Sequence, residues 1–190
     1  MAKKSHLLLA VGLAAASVSP LLPLEAAAEE IVSAYTPLKL EACRTVTPPG
    51  DEEVGGVFRC KGYGGMDVRV AEGDLRMFVS YGPGADSQTA ATQTLPAFNT
   101  TGETLEWRLA DGVPFATILR FHWDSDGAKG STLVITKLGQ TDACHVAHVM
   151  ATGNPNANVL AREIADSQAR GFDCQRDKIR DYGPDGTQVD

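Results

Sequence analysis

Leu105-Glu-Trp-Arg-Leu109, Phe115-Ala-Thr-Ile-Leu-Arg-Phe-His-Trp123, Leu133-Val-Ile-Thr-Lys-Leu138 and Cys144-His-Val-Ala-His-Val149 follow one another in the second half of the chain. Each run is rich in β-branched and aromatic residues and is cut from the next by a short polar turn. Asp111-Gly112 is a two-residue hairpin turn, and Pro114 suits the start of the strand after it. Asn154-Pro-Asn156 then signals a helix, with Asn154 as cap and Pro155 at the first helical position. Leu160, Ala161, Ile164, Ala165 and Gln168 share one face of that helix, Gly171 stops it, and Phe172 and Cys174 return to the sheet. The expected fold is α+β: a mostly antiparallel meander of about six to eight strands, one C-terminal amphipathic helix packed on the sheet, and two disulfides.

The first half is less regular. Tyr35-Thr-Pro-Leu-Lys-Leu40 reads as an edge strand, because Pro37 cannot donate to a central ladder. Thr47 to Glu53 reads as a polar loop. Val68 and Val70 alternate with charged residues, Glu72-Gly-Asp74 turns the chain, and Leu75, Met77, Val79 and Tyr81 mark one apolar strand face. Asp86 to Leu95 suggests a short helix capped by Asp86.

Met1-Ala-Lys-Lys, an apolar run from Leu7 to Val18 and Ala26-Ala-Ala28 have the order of a secretory signal peptide. The expectation is therefore a signal peptide at 1–28, one β-rich domain at 29–174, a polar, flexible tail at 175–190, and a periplasmic or secreted, bacterial location. The formal charge is −7, and removing Lys3, Lys4 and Glu25 with the leader makes it −8. An acidic chain argues against nucleic acid and against anionic lipid, and permits a basic protein partner. No second apolar stretch is long enough to insert in a membrane.

Cys43, Cys60, Cys144 and Cys174 are an even set in an exported chain, so two disulfides are expected. The pairs Cys43–Cys60 and Cys144–Cys174 are near in sequence, and each frames one structural unit. Spacing without C-x-x-C disfavours zinc.

Chemistry is sparse. His145 and His148 stand three apart, which on a regular strand puts them on opposite faces, His148 with Cys144; two separately satisfied histidines are expected, not a metal site. Asp124-Ser-Asp-Gly has part of a calcium loop but no closing glutamate, and reads as a hairpin. No phosphate loop, nucleophile elbow or cofactor motif is present, so no catalytic residue and no cofactor is assigned. Gly62-Tyr-Gly-Gly65 and the turn after Tyr81 make Tyr63 and Tyr81 the candidate binding residues, although a plain tight turn is the favoured reading of the glycines.

Cys60-Lys-Gly-Tyr-Gly-Gly65, Phe78-Val-Ser-Tyr-Gly82, Leu105-Glu-Trp-Arg-Leu109, Ala143-Cys-His-Val-Ala147 and Asn154-Pro-Asn-Ala-Asn158 resemble segments of a group of small bacterial exported proteins without assigned activity. The resemblance implies export and no reaction. In type, though not in motif, the chain is similar to periplasmic lysozyme inhibitors, which are small, β-rich and disulfide-bonded. The functional expectation is a periplasmic binding or inhibitor module. An envelope hydrolase using histidine and carboxylate groups, or a structural envelope protein, are the alternatives.

Overall fold

A computed structural model describes residues 29–47 and 55–189. The leader expected at 1–28 and most of the loop expected at Thr47–Glu53 lie outside them. No helix among the described residues is long and apolar enough to cross a membrane.

Among the described residues, eleven strands form two sheets. They are β1 (Ile31–Pro37), β2 (Arg44–Thr47), β3 (Val57–Lys61), β4 (Asp67–Gly73), β5 (Arg76–Tyr81), β6 (Phe98–Ala110), β7 (Val113–Ser125), β8 (Ala128–Leu138), β9 (Ala143–Met150), β10 (Arg180–Tyr182) and β11 (Gln188–Val189), with one helix, α1 (Ala157–Gln168). The large sheet has the order β1-β6-β7-β8-β9-β10-β11 and the small one β2-β3-β4-β5. The pairing is antiparallel except between β9 and β10. The expected meander is present, with more strands than the six to eight anticipated.

The large sheet is buried on both faces, which is why its strands read as nearly continuous apolar runs. Leu105, Trp107, Leu119, Phe121 and Val134 pack on Cys60, Val68, Val70, Val79 and Tyr81 of the small sheet. Ala116, Ile118, Leu133, Ile135 and Val146 pack on Ala161, Ile164 and Ala165 of α1. The apolar stripe of α1 thus faces the core. The helix begins later than the sequence suggests, with Asn156 as its cap residue and no side-chain cap bond. The Asn154 side chain instead accepts from the Asn156 N–H at 2.9 Å.

Both disulfides pair as expected, Cys43–Cys60 and Cys144–Cys174. The first ties β2 to β3. The second ties the chain after α1 to β9. Two disulfides belong to an oxidising compartment.

Several local expectations change. The segment expected as a tail adds β10 beside β9, with Asp181 opposite His148, and β11 beside β10. Backbone pairing outweighs its polar composition. The stretch after Asp86 is a short 3-10 turn at Thr89–Thr92 with Gln88, not Asp86, at its start.

Sheet edges are managed in different ways. Along β5, side chains stand in for a neighbouring strand. Gln88 accepts from the Tyr81 N–H at 2.9 Å and donates to the Tyr81 C=O at 2.7 Å, and Asn99 accepts from the Met77 N–H at 3.0 Å. Along β1, Asp111 N–H donates to Glu30 C=O and Leu38 N–H to Glu103 C=O, so even-numbered residues face β6. Odd-numbered Pro37 therefore turns its missing donor outward, as the edge-strand reading requires.

Candidate functional site

Three hairpins of this protein close with the same two-residue turn. Asp111-Gly112 joins β6 to β7, Asp126-Gly127 joins β7 to β8, and Asp74-Leu75 joins β4 to β5. Both central residues of each have positive φ. Gly fills the second position twice, as this turn prefers. In the third hairpin Leu75 holds φ +57 instead. A leucine there costs about 1–2 kcal/mol relative to a relaxed backbone. The side chain is not hidden in exchange, because Leu75 is 57 % exposed. The sequence reading put Leu75 on the buried face of its strand. The turn falls one step later than Glu72-Gly-Asp74 and lifts Leu75 to the tip.

Leu75 does not stand alone. Its carbonyl accepts the Asn99 N–H at 3.0 Å, which brings β6 to the tip and sets Phe98, 52 % exposed, beside it. Leu75, Met77, Phe98 and Trp123 line a groove of about 360 Å³, rimmed by Glu72, Asp124 and Lys129. Trp123 also walls a second depression with Leu95, Pro96 and Ala97. Its indole is held in place. It lies across Gly130, where a Cβ would come within 2.2 Å of the ring, and its N–H donates to Thr132 Oγ1 at 3.1 Å. The result is a fixed aromatic ridge between two apolar hollows.

The residues singled out from sequence lie elsewhere. Tyr81 is 3 % exposed and packs edge-on against Trp107, with ring centroids 5.9 Å apart. Burial pushes its phenol up to about 12, opposed by the Thr117 and Thr136 hydroxyls. It is a core residue, because β5 alternation aims Met77, Val79 and Tyr81 at the large sheet. Tyr63 is half-buried and leans on the same Trp107 at 6.4 Å. Its glycines serve a tight turn, with Gly64 and Gly65 at positive φ. The two tyrosines meet through Trp107 in the interior and present no shared contact surface. Leu75, Phe98 and Trp123 were legible in part: a hairpin with Leu where Gly is preferred is a sequence signal.

The histidines also differ from expectation. β9 carries a bulge, so that Thr136 opposes His145 and Ile135 opposes Ala147, with Val146 as the extra residue. One extra residue flips the alternation. His145 and His148 then share the face toward the small sheet, and Cys144 lies on the opposite face. A second bulge, at Phe115 in β7, moves that ring to the helix side in the same way. The His145 Nδ1 and His148 Nε2 atoms are 3.1 Å apart, and His148 Nδ1 is 3.0 Å from Asp181. The carboxylate requires a proton on His148 Nδ1. His148 Nε2 must then accept from His145 Nδ1–H. Gln93 accepts the His145 backbone N–H at 2.7 Å, supplying the partner that the bulge removes. Burial, then the charge of His148, lowers His145 to about 3. Burial also lowers His148, and Asp181 partly restores it. His122 lies on the helix-side face of β7 and is not brought to this pair. Neither buried histidine lines the Trp123 groove. Among the described residues no group of three or more His, Cys, Asp or Glu is placed to hold a metal.

A polar cleft lies beneath α1, where Gly102, Glu103 and Thr104 bulge out of β6 opposite Arg120. Its charges are largely used internally. Arg162 donates to both oxygens of Glu106 at 2.6 and 3.1 Å, and Glu103 lies 3.4 Å from Lys39; outside the cleft, Arg108 clamps Asp166 at 2.8 and 2.7 Å.

Comparison with protein families, with curated proteins and with solved structures yields no match.

Proposed function

We propose that the protein is an exported, periplasmic or secreted binding module, and that Leu75, Phe98 and Trp123 form its contact surface for a basic protein. The carrying observation is Leu75, held exposed at positive φ in a turn that takes Gly in the two sibling hairpins. Strain kept at an exposed apolar tip favours a contact role, since solvation alone would select Gly or Asn. A fixed indole next to an exposed Phe supplies large, pre-ordered contact area, the composition of interface centres.

Charge supports the partner class. Glu72, Asp74, Asp124 and Asp126 surround the groove and its two hairpin tips, against Arg76 and Lys129. Arg76 is paired with Asp74, and Lys129 with Asp124 at 3.2 Å. A net acidic rim on an acidic chain speeds encounter with a basic protein. Lysozyme is the first partner to try, in line with the inhibitor type that the chain resembles.

The experiment is titration calorimetry with lysozyme at low and moderate salt, using the parent, Leu75→Gly and Phe98→Ala. Saturable binding that survives moderate salt and weakens at least tenfold in each variant is expected. Absence of binding removes lysozyme as partner. Binding that ignores both substitutions removes this surface.

A further inference from the structure

The outer face of the small sheet carries a row of arginines. Arg44 on β2 lies directly opposite Arg59 on β3, and Arg59 lies directly opposite Arg69 on β4. Residues opposed in this way share a face and stand about 5 Å apart. Like charges so placed repel. The Cys43–Cys60 disulfide, formed by the residues next to Arg44 and Arg59, holds the two strands together in spite of it.

The neighbouring rung shows how the same face handles charge when balance is the aim. Lys61 there opposes Asp67, with its Nζ 3.1 Å from the carboxylate. The arginine rung has less. Asp86, from the loop after β5, pairs with Arg59 and lies 2.7 Å from Arg69. Arg44 has no salt-bridge partner among the described residues. One buried nitrogen of Arg69, Nη1, has no hydrogen-bond partner. The Arg59 and Arg69 side chains are only 19 % and 15 % exposed, so solvent screens them weakly. Among the described residues, three guanidinium groups and one carboxylate leave two positive charges over.

We infer that Arg44, Arg59 and Arg69 form a binding site for a dianionic oxyanion, a phosphate monoester, seated beside Asp86. Planar guanidinium forks match phosphoryl oxygens in pairs. A surplus of two charges matches a monoester dianion, where a carboxylate or a phosphodiester would neutralise half of it. The site lies on a different face from the Leu75 tip and is independent of the reading given for that surface.

The test is calorimetry with glycerol 3-phosphate as probe, run beside sulfate and acetate. Saturable binding of glycerol 3-phosphate is expected, with acetate inert. Arg44→Gln, an exposed position whose loss leaves the fold intact, is expected to weaken it at least tenfold. Asp86→Asn, which removes the competing carboxylate, is expected to tighten it. The second phosphate ionisation lies near pH 6, so affinity is expected to fall about fourfold from pH 7.5 to 5.5, while that for sulfate stays level. Vesicles containing phosphatidic acid, set against phosphatidylglycerol, separate a lipid monoester from a soluble one. Preference for phosphatidic acid vesicles over the soluble probe assigns the lipid source, and the reverse assigns a free one. No saturable binding, binding unchanged in Arg44→Gln, or equal binding to phosphatidylglycerol overturns the proposal.

Discussion

The interface between α1 and the large sheet and the side of the small sheet turned away from it treat charge and strain in opposite ways. Under the helix, Glu106 and Arg108 stand two apart on β6, and Arg162 and Asp166 stand four apart on α1. Strand spacing meets helix spacing, and each cation faces an anion. Arg108, whose side chain is 8 % exposed, also donates to Ser33, and Ser33 donates to Glu106 at 2.5 Å. The small sheet leaves its costs open. Arg59 and Arg69 share one aspartate beside Arg44, which has no salt-bridge partner among the described residues, and Leu75 occupies a position suited to Gly. Complete pairing serves the fold, since an unpaired buried charge is expensive. Costs left unrelieved at Leu75 and at the arginine row are proposed to serve a partner the chain does not itself contain. That contrast is the basis for both binding proposals.

Breaking the balanced side has the largest expected effect of the substitutions on stability at neutral pH. Asp166→Ala takes the paired carboxylate from the buried Arg108 guanidinium, leaving it with Ser33 and, at 3.9 Å, Glu106, and is expected to cost about 1.5–3 kcal/mol. Urea denaturation measures it, and a loss below about 1 kcal/mol shows that the network is not holding the helix.

Acid titration probes a third arrangement, a buried pair kept neutral. His145 is lowered to about 3 in the folded protein, against 6.5 unfolded. The unfolded chain therefore binds more protons between those values, so stability is complete above pH 6.5 and falls as pH drops toward 3. The expected loss is roughly 3 kcal/mol between pH 6.5 and 4. In His145→Gln that part of the slope is expected to vanish; an unchanged pH profile contradicts the buried neutral pair.

On the small sheet the signs reverse. Leu75→Gly is expected to stabilise the protein by about 1 kcal/mol, because Gly adopts positive φ freely. A lower melting temperature in that variant means the leucine packs on its own chain. Arg44→Gln is expected to be nearly silent, within about 0.5 kcal/mol, and on the side of gain because it relieves a repulsion. A clear loss of stability shows that Arg44 has an anionic partner within the chain.

Much of the scaffold was legible along the chain. The edge strand containing Pro37, the hairpin at Asp111-Gly112, the stripe Ala161–Ile164–Ala165 and both cysteine pairs rest on local rules of backbone geometry and spacing. What misled was counting by twos through a bulge. The extra residue at Val146 put His145 and His148 in contact, and the one at Phe115 moved a ring across the sheet. A bulge answers to the register of the partner strand, which no local pattern carries. Tyr81 misled in a similar way, since the turn after it was visible and the sheet above it was not.

By itself the sequence determined the order of strands and helix, the apolar faces and the even set of cysteines, because period, turn chemistry and capping act within a few residues. Only the tertiary structure decided that the strands divide into two sheets, that residues 180–182 join the large one, and that Arg44, Arg59 and Arg69 form a row. The three arginines are separated by fifteen and ten positions in the chain, and nothing local links them. Strand pairing sets them side by side, since cross-strand neighbours are chosen by register and by burial of the opposite face.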